Sequence, residues 1–451
     1  MATYSLHFAS RWAVKAAAAL VLLTPACVVK MSDRSAPLVN GGVSGPNVEC
    51  TVSNVQPASS SADTRIQGAA ITRLTGRFDL KDPTKPRFDW SGNAMTARFQ
   101  GTEVTWGAES GVEVAYEEII DGNMQKVILG GAVENKTVTR HLPEGFHEIT
   151  VVRTSEALYG DSSFLPFTFG PNTMQLPVPE KAHRIEYIGD SITCGYGDEG
   201  ANATCPYDVT IRTADNGQGG TEAVKVPMTQ NIYLAYGSIA ARKLDAEATT
   251  VCFSGKGVSV NYREIGFGEG AKVDPTAKPD PDAKTVIPDY YLRTLATERP
   301  EAGGQLWDFS KEAQPEVVVL NLGTNDFARD VNQDTVPDGI DLPAFQAAYA
   351  RFVAFVRSKR PDAQIFLAVP PMITDKFPLD NARTNLRNTL HAIVEQRNGA
   401  GDQKVYFMEY VEMGTRYGLG CDYHPNLEVH RIMADQTVGA IRSKTCWPTV
   451  E

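Results

Sequence analysis

The chain lacks any excess of positive charge. Lys and Arg total 43 against 54 Asp and Glu, a formal net charge of −11 over 451 residues. Like charge weakens encounter, so nucleic acid and other polyanions are excluded as expected partners, whereas a neutral polymer is compatible. No Cys-x-x-Cys pair and no Cys/His cluster of zinc spacing occurs, so the seven cysteines predict no metal site. Beyond the first 27 residues no apolar run reaches the length needed to cross a bilayer. Histidine is also scarce, at seven residues. Only one of them, His424, stands in a polar loop between an apolar run and a helical pattern, where a base near neutral pH is useful.

What is present begins with an export signal. Arg11 and Lys15 precede the short apolar run Ala16-Ala-Ala-Ala-Leu-Val-Leu-Leu23, and Thr24-Pro-Ala-Cys27 follows. This layout predicts a signal peptide over residues 1–27 and an exported protein, either secreted or held at the cell surface or outer membrane. Cys27 after a small residue resembles the acceptor of a bacterial lipoprotein signal, but Thr24 stands where an aliphatic residue is usual. Lipidation at Cys27, the one route to a membrane, and simple cleavage both stay open. Residues 28–70, rich in Gly, Ser, Pro and Asn from Gly41 to Asp63, read as a flexible tether.

The remaining length suits two domains. Residues 71–175 hold many short strand patterns, namely Ala94 to Phe99, Glu103 to Trp106, Val112 to Ile119, Gln125 to Leu129, Lys136 to His141 and His147 to Thr154. Asp121-Gly122, Gly130-Gly131 and Glu144-Gly145 are read as the turns between them, and a β-sandwich of jelly-roll type is the expected packing. From residue 180 to 451 apolar runs alternate with helical patterns, which predicts an α/β sandwich with a mainly parallel sheet.

Four segments in this second part carry chemistry. Tyr187-Ile-Gly-Asp-Ser-Ile-Thr-Cys-Gly-Tyr-Gly197 places Ser191 on a sharp turn after an apolar run, with its hydroxyl and its N–H presented together. Thr250-Val-Cys-Phe-Ser-Gly-Lys-Gly-Val258 ends in glycines, and the N–H of Gly255, rather than that of Gly257, is the expected oxyanion donor. Val317-Val-Val-Leu-Asn-Leu-Gly-Thr-Asn-Asp326 brings Asn325, whose amide can donate to an oxyanion. Cys421-Asp-Tyr-His-Pro-Asn426 supplies His424 as general base. Asp190 and Asp326 form a carboxylate pair of the kind glycosidases use, but they are expected to brace their loops.

These four blocks resemble those of the SGNH (GDSL-type) hydrolases. With a β-sandwich upstream, and with Ser-Gly-Lys-Gly and Cys-Asp-Tyr-His-Pro, residues 76 to 447 look like carbohydrate esterase family 2. The resemblance implies a three-layer α/β/α sandwich behind a jelly-roll domain. It also implies a serine esterase that removes acetyl groups from xylan- or glucomannan-type polysaccharides without metal or organic cofactor. Its site would comprise Ser191 and His424, an oxyanion hole of Ser191, Gly255 and Asn325, and Asp422 as orienting acid. Many SGNH hydrolases place that acid three residues before the histidine, where this chain has Cys421. Asp422, two before, reaches Nδ1 only if the loop bends, the alternative being a backbone carbonyl. Tyr423 is either a stacking platform for a sugar ring or a packing residue. Two other functions stay open: a lipid or small-ester hydrolase on the same scaffold, and a surface carbohydrate-binding protein without activity. With Cys27 set aside, six cysteines allow fifteen pairings. Cys194 with Cys205 and Cys421 with Cys446 are the expected staples.

Overall fold

A computed structural model describes residue 43 and residues 71–131, 136–215, 220–263, 282–330, 336–414 and 416–450. The export segment with Cys27, and all of the tether except residue 43, lie outside the described residues.

Eight antiparallel strands form the first layer: β1 (Thr72–Thr75), β2 (Arg87–Phe88), β3 (Ala94–Ser110), β4 (Glu113–Ile120), β5 (Asn123–Gly130), β6 (Thr137–Arg153), β7 (Ser162–Phe169) and β8 (Met174–Leu176). They run in the order β2-β7-β3-β6-β4-β5, with β1 and β8 also pairing β3. Asp121 and Gly122 turn with positive φ of 51° and 82°, as a tight hairpin between β4 and β5 requires. Gly130 and Gly131, with φ of 94° and 56°, end β5 as expected, but at Glu144-Gly145 the turn reading fails. Gly101 and Gly145 lie opposite each other inside β3 and β6, so four expected short strands are two long ones. The register shifts between Gly101 and Glu103, and a Cβ on Gly101 would meet Thr173 Oγ1 at 2.5 Å. Glycine serves a bulge and a close approach there, which lets a long strand bend around Phe99, Trp106, Tyr116 and Phe164.

The second part is built on five parallel strands in the order β12-β9-β13-β14-β15: β9 (His183–Gly189), β12 (Ala246–Cys252), β13 (Val317–Asn321), β14 (Gln364–Val369) and β15 (Val405–Glu409). Every residue of β13 is buried, since a parallel strand covered on both faces reads as a continuous apolar run. Its side chains alternate between two cores. Val318 and Leu320 pack with Phe345, Tyr349 and Phe352 of α5 (Leu342–Lys359) and Leu386 and Leu390 of α6 (Ala382–Gly399). Val317 and Val319 pack with Tyr236 and Ala240 of α2 (Tyr236–Lys243) and with Val429 and Met433 of α7 (Leu427–Thr445). The three-layer sandwich follows from that period of two.

α2 begins only at Tyr236, because the Asn231 side chain accepts from Tyr233 N and donates to Glu117, holding a turn before it. Between β9 and α2 lies a hairpin of β10 (Val209–Asp215) and β11 (Thr221–Val226).

The described residues form one compact unit, and polar groups are buried where its two layers meet. Trp90 Nε1 donates to Thr294 O at 2.9 Å, and Asp89 accepts from the Ala296 and Thr297 N–H groups. Arg77, from the β-rich layer, donates to Tyr291 O and reaches Glu186 on β9. Glu186 also accepts two bonds from Arg360, at 2.8 and 2.9 Å. Burial alone would raise its pKa, but Arg360 and Arg77 hold it below the ordinary carboxylate value. Removing one member of such a group leaves buried charges unpaired. We expect Glu186→Ala to lose about 3–5 kcal/mol in urea unfolding. A change below about 1 kcal/mol, the usual ceiling for exposed ion pairs, would show that the group adds nothing beyond them.

Candidate active site

Strand order reverses between β9 and β13: from β9 the chain goes out to β12 on one side, then returns to β13 on the other. In open α/β sheets, such a switch point leaves a crevice at the carboxyl ends of the strands. Ser191 follows β9, Gly255 follows β12 and Asn325 follows β13, so the three converge there. Gly189 ends β9 where a Cβ would lie 2.0 Å from Thr193 Oγ1, so only glycine allows the turn. Asp190 then caps α1 (Ser191–Cys194) by accepting from Ile192 N at 3.1 Å, and Gly195 closes this single turn with φ of 77°. Ser191 is thus the first residue of a short helix, with an N–H that has no partner inside it.

His424 Nε2 lies 2.8 Å from Ser191 Oγ, and Nδ1 lies 3.0 Å from the backbone carbonyl of Asp422. A carbonyl only accepts, so Nδ1 carries the proton and Nε2 offers its lone pair to the serine hydroxyl. The Asp422 carboxylate is not the orienting group. It accepts instead from Tyr196 OH at 2.7 Å. Asp422 and Tyr423 both take left-handed φ, 49° and 61°, and this bend turns the Asp422 carbonyl toward the ring and its side chain away. Tyr423 is 62% exposed beside the histidine.

That bend is uncommon for non-glycine residues and is held from several sides. Gly420 N donates to His424 O, Cys421 N to Gly197 O, and His424 N to Cys421 O, at 2.8 to 3.0 Å. A disulfide ties Cys421 to Cys205 in the loop after α1. The Tyr196 ring lies 4.4 Å from the imidazole and stacks on Tyr207 at 3.7 Å. A second disulfide, Cys194–Cys252, joins the end of α1 to the end of β12. Both expected pairings are therefore corrected: Cys194 does not meet Cys205, and Cys421 does not meet Cys446, which is disulfide-bonded elsewhere. The reason is strand register, which sets Cys252 opposite Gly189, close to α1. Sequence reasoning also missed Tyr196 and Tyr207, although Gly195-Tyr-Gly197 was in view.

Gly255 has φ of 74°, and its N–H, like that of Ser191, donates to nothing among the described residues. Asn325, in α4 (Thr324–Phe327), gives one amide hydrogen to Lys256 O at 3.0 Å and the other a longer 3.4 Å contact to Asp190. The Gly257 N–H is taken by Asn261 Oδ1 at 3.2 Å. Asp326 accepts from the N–H groups of Val258, Ser259 and Val260, bracing the loop after β12 against the loop after β13. Asp190 and Asp326 are thus loop braces. Burial pushes the Asp190 carboxyl up to about 7. The site joins a hydroxyl, a neutral base and convergent donors, the set that acyl transfer needs.

Two family models match this chain: "Carbohydrate esterase 2 N-terminal" over residues 74–179 and "GDSL-like Lipase/Acylhydrolase family" over residues 187–432. The chain is similar to cellulase/esterase CelE of Acetivibrio thermocellus, 34% identical over 373 residues, or 82% of this chain and 39% of that relative. It therefore spans about two fifths of that protein's length. It is also similar to an acetylxylan esterase/glucomannan deacetylase of Cellvibrio japonicus, 24% identical over 401 residues, 87% of this chain and 94% of the relative. Among solved structures, a family two carbohydrate esterase from Clostridium thermocellum in complex with cellohexaose superposes with a TM-score of 0.66. The two are 32% identical, and the match covers 83% of this chain and 99% of that one.

Burial lowers the His424 pKa from 6.5 to about 4, against the opposing pull of the Asp422 carbonyl. The ring should stay neutral through pH 5–7, and its C–H resonances, assigned with His424→Gln, should titrate well below 6.5. Asp422→Ala keeps the carbonyl, so the midpoint should remain low in that variant. A midpoint at or above 6.5 in the unaltered chain would contradict the half-buried, carbonyl-held ring.

Proposed function

Since the chain belongs to carbohydrate esterase family 2 of the GDSL-type hydrolases, we propose that it removes acetyl groups from polysaccharides through an acyl-enzyme on Ser191. The observation that carries this reading is the 2.8 Å contact of Ser191 Oγ with an imidazole whose Nδ1 is held by a carbonyl. His424 Nε2 takes the hydroxyl proton as Ser191 attacks the acetyl carbonyl, and the negative oxygen is met by the N–H groups of Ser191 and Gly255 and by the amide of Asn325, which exchanges its long 3.4 Å contact to Asp190 for it. The imidazolium then gives its proton to the departing sugar oxygen. Water, deprotonated by the same ring, releases acetate. Asp422 acts through its backbone carbonyl, which keeps Nδ1 protonated and favours the imidazolium while it lasts.

The substrate class is an acetylated polysaccharide of the xylan or glucomannan type. The names of the Cellvibrio japonicus relatives support it, and so does the cellohexaose held by the Clostridium thermocellum structure. The net charge of −11 suits a neutral chain rather than a polyanion. Export belongs to the same proposal, since the Cys194–Cys252 and Cys205–Cys421 disulfides persist in oxidising compartments.

Ser191→Ala should lower kcat by about 10⁶-fold in folded protein, as for other serine nucleophiles. More than a tenth of the activity retained would refute the role. Asn325→Ala should cost about 10²–10³-fold in kcat with a smaller change in KM. A rise in KM alone would make it a binding residue instead. On nitrophenyl esters, turnover should fall steeply from acetate to butyrate and beyond, because added methylenes overpack a methyl-sized pocket. A preference for octanoate would overturn the deacetylase reading and favour a lipid esterase.

A further inference from the structure

One carboxylate of the β-rich layer reaches into the catalytic layer beside the donors just described. Glu156 lies in the turn after β6 and is fully buried. It accepts from Ser254 N at 2.7 Å and also from Ser254 Oγ. Ser254 is the residue immediately before Gly255, so the peptide group whose N–H is left without a partner among the described residues begins at the residue that Glu156 grips. We propose that Glu156 is a positioning residue for the oxyanion hole, fixing the Ser254–Gly255 peptide from the neighbouring layer; this inference rests on the esterase reading.

The turn that carries Glu156 is itself rigid. Arg153, fully buried, donates to the carbonyls of Ser155, Glu156 and Gly160 and to Ser162 Oγ, all between 2.6 and 2.9 Å. On its other side Glu156 meets the Gln230 side chain, whose Nε2 donates to Cys194 O at 3.1 Å. Cys194 closes α1, the helix that begins with Ser191. The contacts thus run from Arg153 through Glu156 to the Gly255 loop, and through Gln230 to the end of the nucleophile helix. Both backbone donors of the proposed hole are gauged from one buried group.

The chemistry favours a carboxylate at this position. Ser254 offers two donors side by side, an N–H and an O–H, and an ionised carboxylate can accept both. Burying it is costly without such partners, and burial raises its pKa to about 7 while the two Ser254 bonds oppose the rise. With Ala at 156 the Ser254 N–H and hydroxyl lose their acceptor, and the Ser254–Gly255 peptide is held only by the flanking bonds from Lys256 N to Phe253 O and from Tyr262 N to Gly255 O. Small displacements of a donor matter, since an error of about 1 Å can cost about 10²-fold in rate.

The test measures kcat and KM on an acetate ester together with inhibition by methylboronic acid, which forms a tetrahedral adduct on a serine and so reads the hole directly. Glu156→Ala should lower kcat by roughly 10- to 100-fold with KM changed less than about 2-fold, and weaken the boronate in parallel. Glu156→Gln keeps one oxygen for the Ser254 N–H and should recover most of the loss. Should Glu156→Ala fail to fold, Ser254→Ala, which removes only the hydroxyl donor, carries the test, and about a 3-fold or larger fall in kcat and boronate affinity is expected. Unchanged kcat in folded Glu156→Ala, or a fall in kcat without weaker boronate binding, would overturn the inference. For Ser254→Ala, unchanged kcat and boronate affinity would do the same. Ser191→Ala and the unaltered chain are run alongside: if neither hydrolyses the ester, the esterase reading fails, whereas an active parent with an indifferent Glu156→Ala removes this inference alone.

Discussion

The hydrogen bond from His424 Nδ1 to the Asp422 carbonyl, 3.0 Å long, decides which face of the imidazole meets Ser191. An imidazole free to choose its tautomer would present Nε2–H to the serine part of the time, and a donor there cannot take a proton. Fixing the tautomer with a backbone carbonyl demands a particular path from Cys421 to His424. Two successive left-handed residues make that path, and each is unfavourable by about 1–3 kcal/mol for a residue with a side chain. Much of the surrounding structure can be understood as what keeps this bend in place.

The restraints come from distant parts of the chain. Cys205 is 216 residues from Cys421 in sequence, and their disulfide binds the histidine loop to the loop leaving α1. Gly197 lies under Cys421, where a Cβ would approach the Cys421 Cβ to 2.9 Å, so the two loops touch through their backbones. Tyr196 adds a ring against the imidazole and a hydroxyl that engages the Asp422 carboxylate. The carboxylate is thereby drawn to the side of the loop away from Nδ1. Stacking, hydrogen bonding and a covalent link therefore act on the same few residues, and the loop holds one geometry before any substrate arrives.

How much of this the sequence reveals depends on whether a feature is local. Parallel strands buried on both faces leave unbroken apolar runs, so Val317 to Leu322 was legible, and with the other motif segments the strand ends that carry Ser191, Gly255 and Asn325. Gly145 misled because a glycine inside a bulged strand looks like a glycine needed for a turn; the atom that crowds its strand partner Gly101, Thr173 Oγ1, lies 72 residues beyond Gly101. The disulfides failed for a related reason. Cys194 and Cys252 are neighbours only because β12 pairs with β9 in a register that no local pattern displays. Asp422 was found at the right place with the wrong atom, since a two-residue spacing is compatible with side chain or carbonyl until the φ angles are known. Glu156 gave no signal, as nothing near it in sequence marks it as a partner of Ser254.

Orientation by a carbonyl instead of a carboxylate changes the electrostatics of the site. A buried aspartate on Nδ1 would raise the histidine's affinity for a proton and bring its own titration to the pH profile. A carbonyl is a weaker acceptor and has no charge to lose, so burial dominates and the His424 pKa falls to about 4. The ring is then wholly in the basic form at neutral pH, but the imidazolium of the transition state is less stabilised, which favours the fast return of the proton to the leaving oxygen. On the proposed esterase reading, a weaker base places more of the demand on the oxyanion donors, whose loops are braced from several sides. Asp326 braces the loop after β12, Cys194–Cys252 pins the nucleophile helix beside it, and Glu156 grips Ser254 from the other layer. On the proposed reading, the stabilisation that a carbonyl-held base does not supply is left to the groups around the oxygen that gains charge.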